Sequence, residues 1–323
     1  MYKKSYYIAL RKRANEADFF WKDSQFMFEE FKPKNKRYWI ADPFLFEHIN
    51  ITYLFYEAYD RIKKKGVIAY SIVEEQCITE PMVVIEKEYH LSFPYVFGYN
   101  GEIYMIPETG DNNSIRLFKA ISFPNIWSDI TLIDNIYSCD TIIALHNHKH
   151  IGLITSKMFK NLPNNRLTSC YVQNVFYPLK WVNGNMVVDK NETTLSTGDL
   201  GIRNAGACFY TDEKLMRPGQ DCSNNSYGNG IIFFEVQDIY PYSEIEVNRL
   251  TKEELNEHLH RGGRGPLLGT HTYNLCKRYE VVDYSFMDKI PVWVIWAHYC
   301  YAIIRRLKKW FHINIGGRKI DGY

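Results

Sequence analysis

Apolar and polar residues alternate with a period of two along most of the chain, and turn-forming residues interrupt the alternation at short intervals. IADPFLF and ITYLFYEAY flank a polar turn at His48 to Asn50, and GVIAYSIV follows a lysine-rich turn at Lys63 to Gly66. Such alternation predicts half-buried strands joined by hairpins. The pattern recurs. FPYVF, a YNGE turn, IYMIPET, a DNNS turn and IRLFKAI form a second set. CDTIIALH, NHK, HIGLITSK and LTSCYVQ form a third, and AGACFYTDEKLMRP with GNGIIFFEV a fourth.

The first strands of these units open near Asp42, Pro94, Asp140, Arg203 and His271. Their spacing, roughly 45 to 65 residues, is close to the repeat of propeller blades. A β-sandwich also yields regular short strands, but the repeat favours an all-β, five-bladed β-propeller over residues 1–288. The early strand SYYIALRKR has no hairpin partner, so it is expected to supply the outer strand of the last blade and leave no sheet edge free. TKEELNEHLH, residues 251–260, has a Thr cap followed by acidic residues and predicts a short helix.

Residues 289–323 differ in kind and predict a helical amphipathic tail. The apolar run from Val292 to Ile304 is about 13 residues, against roughly 20 needed to span a bilayer. Arg305, Arg306, Lys308, Lys309, Trp310 and Phe311 follow it. Two readings stand side by side: a helix lying in a membrane surface, or one packed on the propeller or on a partner.

Composition removes several classes. With 46% hydrophobic and 24% charged residues, the 323-residue chain can bury a full core and is not disordered. Aromatic residues at 16% suit pleated faces or a sugar-binding surface. The net charge of +2, without a basic stripe or motif, gives no case for nucleic acid. The opening residues lack the apolar stretch of a secretory signal, so a cytoplasmic location is expected, peripheral on the inner face of the cell membrane if the tail binds there. The seven cysteines are odd in number and show no paired spacing, which predicts free thiols.

Asp42 and Glu57 stand inside apolar strands, where an unpaired charge is costly. In a propeller, the starts of the innermost strands converge on the axis. Asp42 and Asp140 take the same place in their units, and Glu57 and Glu108 match each other on the second strand. Carboxylates gathered in this way raise one another's pKa, which suits one as acid and another as base. His146, His148 and His150 alternate as metal ligands would, yet they fall where the third unit needs its turn and are expected to be exposed. GGRGPLLG, residues 262–269, lacks the context of a phosphate loop and predicts a connector or lid.

The series ADPFLF, YLFYE, HLSFPYVF, GEIYMIPET, FPNIW, CDTII, RNAG, RPGQDCSNNSYGNGI and GTHTYN, between residues 38 and 275, resembles bacterial proteins related to the N-terminal domain of plant glucosamine inositolphosphorylceramide transferase. The resemblance implies a propeller of the furanosidase type and a place in surface-polysaccharide biosynthesis, of capsule or O-antigen. In five-bladed glycosidases of this type a first-blade Asp is base or nucleophile, a third-blade Asp adjusts pKa or orientation, and a Glu is the acid. Asp42 and Asp140 match the first two roles. Where many such enzymes carry the acid, blade four here offers Arg203, Arg217, Gln220 and Asp221.

Arginine forks suit phosphate oxygens, and Arg203, Arg217 and His271 therefore favour glycosyl transfer from a donor with a phosphate leaving group, such as a nucleotide sugar, to a glycan acceptor. In that scheme Asp42 is base or nucleophile, Asp140 and Glu108 position the sugar, Glu57, Gln220 and Asp221 contact substrate, and Arg203 and Arg217 balance the leaving group. It requires no metal and no cofactor. A glycoside hydrolase or phosphorylase and a non-catalytic carbohydrate-binding propeller remain as alternatives. Structural roles also stay open: Arg217 could pair with Asp221 across their loop, and His271 could be a satisfied core histidine.

Overall fold

Five sheets follow one another around an axis in a computed structural model that describes residues 1–74, 77–160, 162, 167, 169–239, 241–262 and 265–315, with side chains to residue 307. Blade I runs outward through Tyr38–His48, Ile51–Asp60, Lys65–Val73 and Met82–Ile85. Blade II runs through Ser92–Tyr99, Glu102–Glu108, Ser114–Ser122 and Ile126–Asp134. Blade III comprises Ser138–His146, Lys149–Met158, Val172–Val182 and Asn185–Val188, with Thr193–Gly198 also on Val172–Val182. Blade IV begins at Leu200–Asn204 and continues through Lys214–Asp221, Gly230–Ile239 and Tyr242–Thr251. Blade V closes the ring: Tyr273–Leu275 is innermost, then Tyr279–Lys289, then the N-terminal strand Tyr2–Lys12, then Phe28–Phe31.

Three expectations shift. The N-terminal strand is third from the axis, not outermost, because Phe28–Phe31 covers its far edge. LTSCYVQ leads into the third strand of blade III, which starts only at Val172. AGACFYTDEKLMRP is not one strand; Asp212 and Glu213, both at positive φ, turn a hairpin between Phe209–Thr211 and Lys214–Asp221. The helix expected at 251–260 is present as Lys252–Glu257, where the Thr251 side chain accepts from the Glu254 amide. His146 precedes the predicted turn of blade III and His148 lies in it, both exposed, with Asn147 and His148 at positive φ, whereas His150, expected to be exposed, is half-buried against the rings of Phe97, Tyr99 and Trp181. The centre of the GGRGPLLG segment, residues 263 and 264, lies outside the described residues.

The core fills the wedges between blades. Phe44, Phe93 and Tyr95 pack edge-on or tilted between blades I and II, and Phe20, Phe233 and Tyr273 do so between IV and V. Such aromatic pairs each add about 0.5–1.5 kcal/mol beyond area burial.

One local device repeats and sets up the site. Each of the first four innermost strands carries an irregularity in register at the same point, between Ala41 and Phe44, Ser92 and Tyr95, Cys139 and Ile142, and Leu200 and Asn204. The residue after the break is left-handed in every case: Asp42 (φ 51), Phe93 (φ 46), Asp140 (φ 50) and Gly201 (φ 73). A bulge of this kind re-aims a side chain, and Asp tolerates the left-handed region better than most residues. Opposite the residue before each bulge stand Glu57, Glu108, Ser156 and Asp221 on the second strands. The recurrence suspected for Asp42 with Asp140, and for Glu57 with Glu108, is thus a property of the backbone repeat.

The tail forms a helix, Val292–Ile315. Val294 is buried against the propeller and His298 Nδ1 donates to the Ile62 carbonyl at 2.8 Å, which fixes that ring's tautomer. Among the described residues, no helix is long and apolar enough to cross a membrane. The side chains of Lys308, Lys309, Trp310 and Phe311 lie outside the described residues.

Candidate active site

The bulges gather carboxylates on one polar pocket of about 200 Å³. Asp42, Glu57, Glu108, Arg203 and His271 line it together with Ser92, His90 and the rings of Tyr6, Trp39, Tyr59 and Tyr227. Asp42 is held from three sides. Its Oδ1 accepts from the Thr272 hydroxyl at 2.8 Å and its Oδ2 from the Phe93 amide at 3.2 Å. His271 Nε2 lies 3.4 Å from Oδ1, while His271 Nδ1 forms an ion-pair contact at 2.6 Å with Asp283 Oδ2. Asp283 is itself fixed by the amides of His271 and Thr272, at 2.8 and 3.0 Å, and accepts from the Asp42 amide at 3.3 Å. A bulged amide therefore reaches the carboxylate of the preceding blade twice in succession, which ties blade V to I and I to II.

These contacts set the protonation states. Burial pushes Asp42 up to about 6, against the pull of His271. Burial works against a charged His271, but Asp283 and Asp42 outweigh it and raise the imidazole above its ordinary range. Glu57 is pushed well up by burial, with Asp42 and Glu108 adding to the effect. Its Oε1 has no hydrogen-bond partner, and His90 Nε2 lies 3.3 Å away. Because His90 Nδ1 accepts from the Gly66 amide at 3.0 Å, and burial keeps the ring neutral, the proton sits on Nε2. A Cβ on Gly66 would meet Leu91 O at 2.3 Å and Glu57 Oε1 at 2.6 Å, so only glycine lets the strand pass. Glu108 is likewise pushed well up, by burial and by Asp140, with Arg203 opposing.

Asp140 forms an ion pair with Arg203 Nε and accepts from Gln220 Nε2 at 3.1 Å. Asn204 Nδ2 donates to the Asp140 carbonyl at 2.8 Å. Arg203 reaches Glu108 Oε2 at 3.7 Å, donates to Ser169 O at 3.1 Å, and lies over the Tyr227 ring. The buried guanidinium is thus spent on holding Asp140 and Glu108, and only secondarily on what enters the pocket.

Four expected site residues lie off the pocket wall: Asp140 and Gln220, buried and bonded to each other, and Arg217 and Asp221. Arg217 is fully buried in blade IV, where it pairs with Glu244 at 2.7 Å and donates to the Gly201 carbonyl at 2.8 Å. It cannot balance a leaving group in the pocket. Asp221 pairs with Arg249 at 2.9 Å and caps the Ser223 amide at 3.0 Å, so the proposed Arg217–Asp221 bridge does not form. Both carry structural duty because their partners sit on the outer strand Tyr242–Thr251. His271 is buried as a core histidine would be, yet it lines the pocket and touches Asp42.

Sequence reasoning missed Asp283, Tyr6, Trp39, Tyr59, His90 and Tyr227. Asp283 carried a usable signal, a lone carboxylate in the apolar strand YEVVDYSFMDK, the same argument that marked Asp42. Among the described residues, two groups could offer metal-ligand atoms within 4.8 Å of one another, Asp42 with His271 and Asp283, and Glu108 with Cys139 and Asp140. Each already carries a cation in contact, His271 in the first and Arg203 beside the second. The donor sets fit internal ion pairs better than a metal.

Five sheets closed around an axial polar pocket make the protein a five-bladed β-propeller. The α-L-arabinofuranosidase of Podospora anserina, solved with cellotriose, superposes with TM-score 0.56 at 7% identity over 88% of this chain and 98% of that one. The α-L-arabinofuranosidase catalytic domain of Coprinopsis cinerea gives 0.54 at 9% over 86% and 97%. At these identities the likeness is one of fold. Sequence is more specific: the chain belongs to the family described as glucosamine inositolphosphorylceramide transferase 1, N-terminal, whose profile matches residues 30–281. Glucosamine inositolphosphorylceramide transferase 1 of Arabidopsis thaliana is 33% identical over 227 residues, 68% of this chain. The protein of that name from Oryza sativa subsp. japonica is 28% identical over 214 residues, 65% of this chain. The match spans only 26% and 28% of those plant proteins.

Proposed function

We propose that this chain is a carbohydrate-active enzyme that moves a glycosyl group to a hydroxyl acceptor during glycan assembly. The observation that carries the reading is the pairing, in one sugar-sized pocket, of a carboxyl poised near neutrality, Asp42, with a carboxyl that burial and Asp140 push well above its ordinary range, Glu108. Environments that separate two carboxyls in this way assign base and acid. Asp42 takes the proton of the acceptor hydroxyl as its oxygen bonds to the anomeric carbon. The bond from that carbon to the leaving oxygen breaks, and Glu108 hands its proton to that oxygen. Exchange with water resets both groups. Asp140, locked by Arg203 and Gln220, positions Glu108 and raises its pKa. The family name of the plant relatives supports transfer, and a surface glycan is the setting we infer.

One observation favours a second reading, hydrolysis with water in the acceptor's place. A departing phosphate needs no proton, and neither Arg203 nor Arg217 is free for it, whereas a departing alcohol uses the proton on Glu108. Incubating the purified chain with nucleotide sugars and oligosaccharide or glycolipid acceptors, and separately with aryl furanosides, separates the readings: an extended acceptor supports transfer, free sugar supports hydrolysis. Turnover that survives in both Asp42→Asn and Glu108→Gln would remove these carboxyls as base and acid, whereas sugar binding without turnover on any of these substrates would leave a carbohydrate-binding propeller.

A further inference from the structure

Glu57 lines the carboxylate pocket from the second strand of blade I, opposite Ala41, the residue before the bulge. It is 4% exposed, and its Oε1 is shut off from solvent with no hydrogen-bond partner. Among the described residues no donor reaches Oε2 either, so this is the oxygen that remains for the pocket. Burial, reinforced by Asp42, Glu108 and Asp283, pushes the carboxyl well above its ordinary range and toward the protonated form. A neutral carboxyl with both oxygens unmatched in a cavity is an unmet demand for a partner, and it has one proton to donate.

His90 decides which oxygen carries that proton. The segment before blade II is clamped onto Gly66 twice: the Leu91 amide donates to the Gly66 carbonyl at 3.2 Å, and the Gly66 amide donates to His90 Nδ1 at 3.0 Å. The ring is thereby held as a neutral imidazole with its hydrogen on Nε2, and that nitrogen lies 3.3 Å from Glu57 Oε1. Contacts of this length tighten when a ligand fills the site. With Oε1 facing a donor, the carboxyl hydrogen is left on Oε2. The pocket also holds the rings of Trp39 and Tyr59, stacked at 4.5 Å with planes 8° apart, which give an apolar surface for the C–H groups of a sugar. Hydroxyls are the acceptors that a sugar ring presents along its edge.

We propose that Glu57, oriented by His90, selects the sugar: it donates its Oε2 hydrogen to a hydroxyl oxygen of the ring seated in the pocket, so a sugar with a free hydroxyl at that place is preferred over the analogue that lacks it. A site built to bond a hydroxyl leaves its own buried group unpaired when the hydroxyl is missing, and that penalty is what discriminates. Glu57 touches the substrate, whereas His90 acts through Glu57 as a positioning residue. This role presupposes the sugar pocket proposed above, and it fixes the contact expected of Glu57 as that of a donor.

Titration calorimetry of the full chain with methyl α-L-arabinofuranoside, methyl β-D-galactofuranoside and methyl β-D-glucopyranoside, and with the monodeoxy analogues of whichever binds, tests the role. Removing one particular hydroxyl should weaken binding to the parent by about 10- to 100-fold, and should make no difference to Glu57→Ala, which is already that much weaker. Glu57→Gln keeps a donor and should bind nearly as the parent does. Binding should weaken as pH rises, because the donor is lost when Glu57 ionises. Asp42, Glu108, Asp283, His90, Tyr6 and Tyr59 also face Glu57 and remain in Glu57→Gln, so the pH dependence that vanishes in that variant belongs to Glu57. His90→Phe should reduce the preference for the hydroxyl, whereas a purely structural role would weaken the sugar and its deoxy analogue equally. Unchanged affinity and selectivity in Glu57→Ala would overturn the role of Glu57 alone. Binding that tightens as pH rises would mean an ionised Glu57 meeting a cation, and would overturn it too. Absence of binding by every glycoside would overturn it together with the sugar pocket. Asp42→Asn should bind as the parent does, so failure of the catalytic reading leaves this result intact.

Discussion

Asp42 combines a strained backbone with a tuned charge, and each has a measurable consequence. It is held at φ 51 by the bulge, accepts from Thr272 and Phe93, and has its pKa at about 6. As a base it must be ionised, so turnover should fall as pH drops through about 6, and Asp42→Asn should lose about 10²–10⁴-fold in kcat with the fold retained by circular dichroism. Glu57 makes the opposite kind of prediction. Its pKa is raised above that of an unfolded glutamate, so the stability it contributes is fully present at acid pH and is lost as pH rises through its folded value. Glu57→Gln should therefore melt progressively higher than the parent between pH 5 and 8, with the gap closing at the acid end; a constant gap would show the carboxyl to be ionised throughout. The sequence made Asp42, Asp140, Glu57 and Glu108 legible because a charge in an apolar strand needs a reason. It hid Trp39, Tyr59 and Tyr227, since in a chain with 25 Tyr and 7 Trp no single ring stands out.

At the scale of elements, blade IV shows why some residues were misread. RPGQD has the Pro and Gly of a loop, yet it lies inside the strand Lys214–Asp221. Gly219 is there because a Cβ would come within 2.1 Å of the Gly201 carbonyl, where the bulged inner strand presses against its neighbour. Close approach of two backbones and a turn ask for the same residue, and sequence alone does not separate them. Arg217, read as part of a loop, was expected to face the leaving group because guanidinium forks suit phosphate oxygens. Its partner Glu244, on the outermost strand, is 27 residues away, beyond any local pattern. Arg217→Ala should leave Glu244 uncompensated and cost about 3–5 kcal/mol, read as a lowered denaturation midpoint. Activity per folded molecule should stay near the parent's, because the guanidinium does not reach the pocket; a selective loss of kcat without loss of stability would return Arg217 to the site.

For the whole molecule, the decisive fact is that the ring is closed by its own beginning. Tyr2–Lys12 pairs with Tyr279–Lys289 along its full length, from Tyr2 opposite Lys289 to Lys12 opposite Tyr279, and with Phe28–Phe31 on its other side. The period of the strand sets made five blades legible, and the lone early strand pointed to closure. Its place third from the axis was not legible, because the four-residue strand that covers it is too short to show alternation. Closure also supplies the site: Tyr6 comes from this strand, and His271, Thr272 and Asp283 from the blade it completes. Ala9, fully buried and paired with Val282 on one side and Glu30 on the other, is the point at which to break it. Proline there removes a ladder donor and crowds the sheet, at about 3 kcal/mol or more, which for a chain of this size lowers Tm by about 4 °C or more. Unlike Arg217→Ala, Ala9→Pro should depress kcat in the molecules that remain folded, because the Asp42–His271–Asp283 line depends on blade V keeping its register against blade I. Full activity per folded molecule in Ala9→Pro would mean that the four other blades hold the pocket together without it.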